Sequence, residues 1–523
     1  DLALPGMLHG RMLRPAAPGA TLVAVDVAAV EALPGVIRVV RDGSLLGVLA
    51  KTEREAQRAV ERLAAVAKWR ETLELPDEHG LAQWLKSRPA ETGVVATKPA
   101  ADAPQVVRTV RAAFDKPFIA HASIGPSCAL AQWRDDRLEV WTHSQGIYNL
   151  RRDLALALDI SADAIAVHHA EGSGCYGHNP ADDVAYDAAR LALAAEGAPV
   201  RVQWSRADEL AWSAFGPAMH VELEADLDAS GSIVGWRHEV WSNGHSSRPG
   251  RAKSPALLGA FHLEQPFEPL IAINPPLAAG GGADRNSVPS YEFPAWDIVK
   301  HRVLDMPIRT SALRALGAFA NVFAIESFMD ELARIANTDP VRFRLQHLRD
   351  ERARAVIERA AQRFGWQGQR AREGFGRGMG FARYKHTTAY CAVVAEVEAL
   401  EEIRVRRLVI AVDVGQVINP DGVANQIEGG AIQAASWMLK EAVRFDRTRI
   451  TSVDWESYPI FRFSDVPQVE VEVIDRPELP SVGAGEASLG PTAGAIANAV
   501  ADALGVRMHS LPMTGERIRA ALQ

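Results

Sequence analysis

Apolar runs bracketed by turn residues set the pattern of the first seventy positions. Pro34-Gly35 and Asp42-Gly43 flank Val36-Ile37-Arg38-Val39-Val40, and Leu45–Ala50 follows, which predicts two strands around a tight turn. Thr52 then suits the cap of a helix whose Ala56, Val60, Leu63 and Ala64 share one face. From about Arg70 to Pro104 the chain carries Pro, Lys, Thr and Glu with little periodicity. Residues 1–70 therefore read as a small mixed domain, 71–104 as a linker and 105–523 as one large region.

In that region, strands are predicted at Leu138–Thr142, Ala164–His169, Val200–Trp204 and Ile233–Trp241. Helices are predicted through Leu150, Leu154 and Leu158, and over Ala181–Ala195. Residues 244–294 are rich in Pro, Gly and Ser and include Gly280-Gly281-Gly282. A stretch of that length without periodicity suggests a loop on the substrate side or at an interface. Further helices are predicted at Phe319–Ala336 and from Pro340 through Leu348 past Asp350. Strands follow at Ala392–Val397, Ile403–Val412 and Val469–Val473, and helices at Val423–Leu439 and Ala493–Leu504. The fold class is α+β, without an internal repeat.

Composition narrows the function. The chain has 523 residues, 48% hydrophobic, enough for large cores in more than one folding unit. A net charge of -8 without a long basic run argues against a nucleic-acid partner. Cys128, Cys175 and Cys391 are far apart, so they give neither a metal clip nor the roughly four ligands of an iron–sulfur cluster. No apolar run reaches membrane-spanning length. His121, His143, His178 and His386 lack metal-ligand spacing, and no G-x-S-x-G elbow occurs.

Four constellations can carry chemistry. Gly483-Ala484-Gly485-Glu486-Ala487-Ser488 places one carboxylate on a glycine-rich loop before a helix, as a general base in a pocket or as a helix-start glutamate favoured by the dipole. Gly172-Ser173-Gly174-Cys175-Tyr176-Gly177 matches G-x-G-x-x-G between a strand and a helix, which opens the reading of an NAD-dependent dehydrogenase. Asp182 and Asp183 in the helix's first turn oppose a pyrophosphate there, so a tight turn or a backbone cradle facing another cofactor competes with it. Arg314-Ala315-Leu316-Gly317 puts a bidentate donor beside a glycine turn, or else a loop-capping arginine. Asn425-Gln426-Ile427-Glu428-Gly429-Gly430 lies in a small-residue helix that permits close approach of a ligand or of a packed sheet.

The strings PGMLHGRMLRP, HASIGPSCALA, GCYGHNPADD, IESFMDELA, INPDGVANQIEGG and GAGEASLGPTAGAIANA occur in this order. Together they resemble the molybdopterin-binding large subunit of the molybdenum hydroxylase family (xanthine dehydrogenase and aldehyde oxidase), in its nicotinate dehydrogenase and isoquinoline oxidoreductase branch. The resemblance implies a hammerhead-like α/β domain at residues 1–70, and a molybdenum held by a pterin dithiolene rather than by protein ligands. It implies that Glu486 is the catalytic base. Gln145, Gly174, Cys175, Arg314, Gln426 and Gly485 fall on the cofactor side, and Tyr176, Asn179 and Leu316 on the substrate side. Cys175 replaces the family's phenylalanine, and Asn179 stands where xanthine-type enzymes place a glutamate, so xanthine is not the expected substrate.

The implied activity is oxidative hydroxylation of an N-heteroaromatic compound with oxygen from water. Aldehyde oxidation to a carboxylic acid and a non-catalytic scaffold are the alternatives. The implied cofactor is molybdenum-molybdopterin in its cytosine dinucleotide form, with a [2Fe–2S] cluster on a small partner subunit and a flavoprotein or cytochrome c as next acceptor. The family's Gly-Gln-Gly segment is not found, so an N-terminal companion segment or separate chain is expected to carry it. The expected location is cytoplasmic, with periplasmic or membrane-associated settings as alternatives.

Overall fold

Valine-, leucine- and alanine-rich runs form strands wherever both faces can be covered, and amphipathic runs form the covering helices. The computed structural model describes residues 2–71, 75–101, 105–251, 253–366, 372–400 and 402–523. In chain order the strands are β1 (Leu8–Leu13), β2 (Thr21–Ala24), β3 (Val36–Asp42), β4 (Leu45–Ala50), β5 (Lys68–Arg70), β6 (Ala90–Lys98), β7 (Arg108–Lys116), β8 (Cys128–Arg134), β9 (Arg137–Thr142), β10 (Ile165–His169), β11 (Val200–Gln203), β12 (Met219–Leu227), β13 (Ile233–Ser242), β14 (Trp296–Val303), β15 (Phe375–Arg383), β16 (Tyr390–Ala399), β17 (Ile403–Asp413) and β18 (Gln468–Ile474). The helices are α1 (Ala28–Glu31), α2 (Glu53–Val66), α3 (Leu81–Ser87), α4 (Ile147–Leu158), α5 (Ala181–Ala192), α6 (Arg206–Trp212), α7 (Ala318–Ile335), α8 (Pro340–Gln346), α9 (Glu351–Phe364), α10 (Pro420–Leu439), α11 (Leu489–Leu504) and α12 (Gly515–Leu522).

Among the described residues the strands form three larger sheets and a two-stranded ribbon. A mixed sheet runs β10-β9-β8-β11-β1-β4-β3, a second runs β6-β14-β13-β12-β7, and a third runs β15-β16-β17-β18; β2 and β5 form a separate ribbon. In the first sheet β1 pairs in parallel with β11, Leu8 opposite Val200. Strands from residues 1–70 and from beyond residue 105 therefore share one sheet, with one core between them that includes Leu49, Val184 and Tyr186.

Three of the sequence expectations need correction on elements. The stretch 71–104, read as a linker, contains α3 and β6, and β6 pairs with β14. Its residues 72–74 and 102–104 lie outside the described residues. The strand escapes a pattern search because it is a sheet edge with no buried position, so it has no apolar alternation to show. The helix expected from Pro340 past Asp350 is two helices: Asp350 accepts from the N–H groups of Arg352 and Ala353 and starts α9 afresh. On α2, Thr52 caps as expected, but Ala59 rather than Ala64 joins Ala56 and Leu63 in the core.

The third sheet positions the candidate site. Gly376, Gly378 and Gly380 of β15 leave room for the buried, small-residue face of α11; a Cβ on Gly378 would lie 2.2 Å from the nitrogen of Ala499. Glu326 on α7 ties the layers together. Its carboxylate accepts from Arg344 Nε (2.8 Å), Tyr291 OH (2.7 Å) and the N–H of Phe381 (3.0 Å). The segment before α7, the segment before α11, the end of β15 and the early turns of α10 consequently meet at one place.

Candidate active site

Glu486 lies three residues before α11, half-buried, on the glycine loop. Its carboxylate does not cap its own helix. Oε1 accepts from the backbone N–H of Ala315 (2.9 Å), and Oε2 accepts from Tyr384 OH (2.7 Å). Arg285 Nη1 is 3.9 Å from Oε2 and donates to Tyr384 OH at 2.7 Å. Burial and the nearby Glu486 charge push the Tyr384 phenol well above its usual range, so it stays a protonated donor.

The backbone around this carboxylate is held in unusual conformations. Ala315 and Leu316 have φ of 74° and 50°, Lys385 and His386 have 55° and 59°, and Asn286 has 57°. Non-glycine residues in the left-handed region carry strain of order 1–3 kcal/mol each and cluster where function fixes geometry. At Ala315 the strained turn aims the N–H at Glu486.

Arg314 joins the neighbouring pieces. Its Nε donates to the carbonyl of Gly485 (2.7 Å), Nη1 to Gln433 Oε1 (3.2 Å), and Nη2 to the carbonyl (3.0 Å) and Oε1 (3.3 Å) of Gln426. Its own N–H donates to the carbonyl of Tyr176 at 2.6 Å. Glu486, Gly485, Arg314, Gln426, Leu316 and Tyr176 are thus brought together.

The glycine loop 172–177 sits alongside. Gly174 and Gly177 have φ of 123° and 133°, and Gly177 bridges to Leu313. The Cys175 thiol, raised by burial, donates to the carbonyl of Gly177 at 3.1 Å. Asn179 is buried and donates to the carbonyl of Gly174 at 3.2 Å, so its amide serves the loop. Gln145 is exposed and accepts from Arg248 Nη2 at 2.9 Å. Gln145 makes no hydrogen bond to Glu486, and burial lowers the pKa of its partner Arg248.

The dinucleotide reading of this loop fails on the start of α5. Asp182 accepts from Ser144 Oγ (2.5 Å) and pairs with His178 (2.9 Å), while Asp183 accepts from the N–H of Leu258 (2.7 Å) and pairs with Arg309 (3.0 Å). Protein carboxylates fill the position that a pyrophosphate would need.

Sequence reasoning missed Tyr384, Lys385, Arg285, Arg248 and Gln433. The one local signal was Gly280-Gly281-Gly282, just ahead of Arg285, whose Nε and Nη2 donate to the carbonyls of Gly280 and Gly281 (both 2.9 Å). Around Glu486 stand four cations, Arg248, Arg285, Arg314 and Lys385. Among the described residues the only carboxylate paired with any of them is Glu486 itself. Burial lowers the pKa of Arg248, Arg314 and Lys385. Among the described residues no group of three or more His, Cys, Asp or Glu can hold a bare metal ion. A site rich in cations and amides suits an anionic cofactor whose edges take hydrogen bonds. A separate apolar cavity of 390 Å³, lined by Trp212, Phe215 and Phe261, contains none of these groups, which leaves the Glu486 cluster as the candidate site.

Family models described as "Molybdopterin cofactor-binding domain" match residues 88–268 and 311–467, together more than half of the chain. The chain is 37% identical, over its whole length, to a nicotinate dehydrogenase component of Pseudomonas putida, covering 45% of that protein. It is 30% identical over 76% of its length to an isoquinoline 1-oxidoreductase component of Brevundimonas diminuta, covering 49% of it. The chain thus spans about half the length of these curated relatives. Quinoline 2-oxidoreductase from Pseudomonas putida 86 superposes with a TM-score of 0.82 at 16% identity, covering 100% of this chain and 95% of that one. Aldehyde oxidoreductase from Desulfovibrio gigas superposes at 0.78 with 14% identity, covering 99% and 78%. At these identities the likeness shows a shared fold.

Proposed function

This chain belongs to the molybdenum hydroxylase family, in its molybdopterin-binding subunit, and on that premise we propose that it hydroxylates an N-heteroaromatic ring oxidatively with oxygen from water. The observation that carries the reading is the Glu486 carboxylate, fixed on both oxygens by Ala315 N–H and Tyr384 OH within a ring of cations. Each carboxylate oxygen keeps a further lone pair, so Glu486 accepts a proton from the attacking oxygen nucleophile while its two donors hold it in line. The substrate class follows the relatives named for nicotinate, isoquinoline and quinoline.

The donor set fits molybdopterin. Arg314, Gln426, Gln433 and Gln145, with the backbone at Gly174–Cys175 and Gly485, would hold a pterin and its phosphate, and the cytosine dinucleotide form is the proposed version. When bound, the group supplies two-electron oxidation of the ring carbon. Arg314 orients the Gly485–Glu486 loop through the Gly485 carbonyl. Leu316 and Tyr176, which flank Arg314 in sequence and by hydrogen bond, are the proposed substrate-side residues. Electrons must then leave. The three cysteines of this chain are free and not clustered, so a [2Fe–2S] partner subunit is part of the proposal.

The test is a metal and pterin analysis of the complex isolated with its partner subunits, followed by turnover of heteroaromatics and aldehydes in ¹⁸O-labelled water. One molybdenum and one pterin per chain, with the label in a hydroxylated heterocycle, is the expected result. An intact complex without molybdenum, or one that oxidises aldehydes alone, would overturn it.

A further inference from the structure

Arg248, Arg285 and Arg314 each have protein acceptors: Gln145 for the first, two carbonyls and Tyr384 OH for the second, Gly485 and two glutamines for the third. Lys385 differs. Among the described residues its ammonium has no acceptor and no carboxylate partner; it lies 5.4 Å from the centre of the Tyr384 ring. The hydroxyl of that tyrosine donates to Glu486 Oε2 (2.7 Å), which sets Lys385 beside the candidate base.

The backbone that carries this side chain is also fixed. The N–H of Lys385 donates to Asn286 Oδ1 (3.0 Å), and Asn286 Nδ2 donates back to the carbonyl of Arg383 (2.9 Å), which fixes the left-handed turn. Its stem crosses Gly280, where a Cβ would come within 2.7 Å of Lys385 Cδ. A cation carried on a fixed turn, with its stem against Gly280, has less backbone freedom to lose on binding.

An anionic substrate approaching Glu486 meets like-charge repulsion and needs a cation that no other group has engaged. We propose that Lys385 binds a carboxylate carried on the heteroaromatic ring and so makes the site selective for ring carboxylates over uncharged analogues. This inference rests on the reading of the Glu486 cluster as the active site.

The test uses the assembled, cofactor-loaded complex with pyridine-3-carboxylate and its uncharged isostere pyridine-3-carboxamide. Binding is measured calorimetrically on the Glu486→Gln complex, where chemistry is blocked, and kcat/KM is measured on the parent. With Lys385→Met, the preference for carboxylate over carboxamide is expected to fall by about 10- to 100-fold, the range of one charge-assisted hydrogen bond. The parent's preference should weaken with added salt, and Lys385→Arg should recover part of the preference. An unchanged carboxylate-to-carboxamide ratio in Lys385→Met, or a parent that binds both alike, would overturn the assignment. A parent complex that binds the carboxylate selectively but hydroxylates neither ring would instead sink the heteroaromatic reading and leave the Lys385 anchor standing.

Discussion

Glu486 takes one hydrogen bond from the turn before α7 and one from the end of β15, 171 and 102 residues away in sequence. That distance explains what the sequence could and could not disclose. Glu486, Gly485, Arg314 and Gln426 stand in short strings whose residue types already suit a cofactor site, and the structure brings them together. Tyr384 and Lys385 stand in no such string: a tyrosine at the end of a strand has no local spacing that marks its hydroxyl as the partner of a distant carboxylate. Asn179 shows the opposite case, since the chain gives no sign that its amide turns back onto the Gly174 carbonyl. Replacing Tyr384 by Phe keeps the ring and removes one donor. A hydrogen bond to a charged group contributes about 1.5–3 kcal/mol, so kcat/KM is expected to fall roughly 10- to 100-fold. Molybdenum content should be unchanged, and a crystal structure of the variant should show the carboxylate turned away from the Ala315 N–H. A variant with parent kinetics would mean that Ala315 alone orients the base.

Elements with one strongly apolar face were readable in advance, and those whose partners lie far off were not. The helices α7 and α11 and the strands β16 and β17 fall close to their expected places because buried positions fill most of their length, and α10 does so through its buried second half. β15 is harder to foresee: Phe375-Gly376-Arg377-Gly378-Met379-Gly380 looks like a loop. Its glycines are explained only by α11, whose backbone comes so close that no Cβ fits. Gly378→Ala should therefore destabilise the chain by overpacking, on the order of 1–3 kcal/mol. Because α11 begins just after Glu486, cofactor retention should fall with it. Thermal unfolding and molybdenum content measured on one preparation check this, and a fully stable variant would show that the strand and helix can separate without harm.

For the molecule as a whole, the expected partition into a small domain, a linker and a large region gives way to a shared sheet. β1, β4 and β3 complete a sheet whose other strands follow residue 128. Local patterns cannot announce such a pairing, since β1 and β11 are joined in space only by their register. The sheets and their covering helices hold the Glu486 loop, Arg314 and the glutamines Gln426 and Gln433 in one place. Among the described residues no helix is long and apolar enough to cross a membrane. The most direct measurement of the central claim is turnover by the assembled Glu486→Gln complex, with molybdenum and pterin measured on the same sample. The expected result is parent-level metal and pterin with turnover reduced roughly a hundred- to ten-thousand-fold, the range for loss of a general base; turnover at the parent rate with cofactor in place would contradict it.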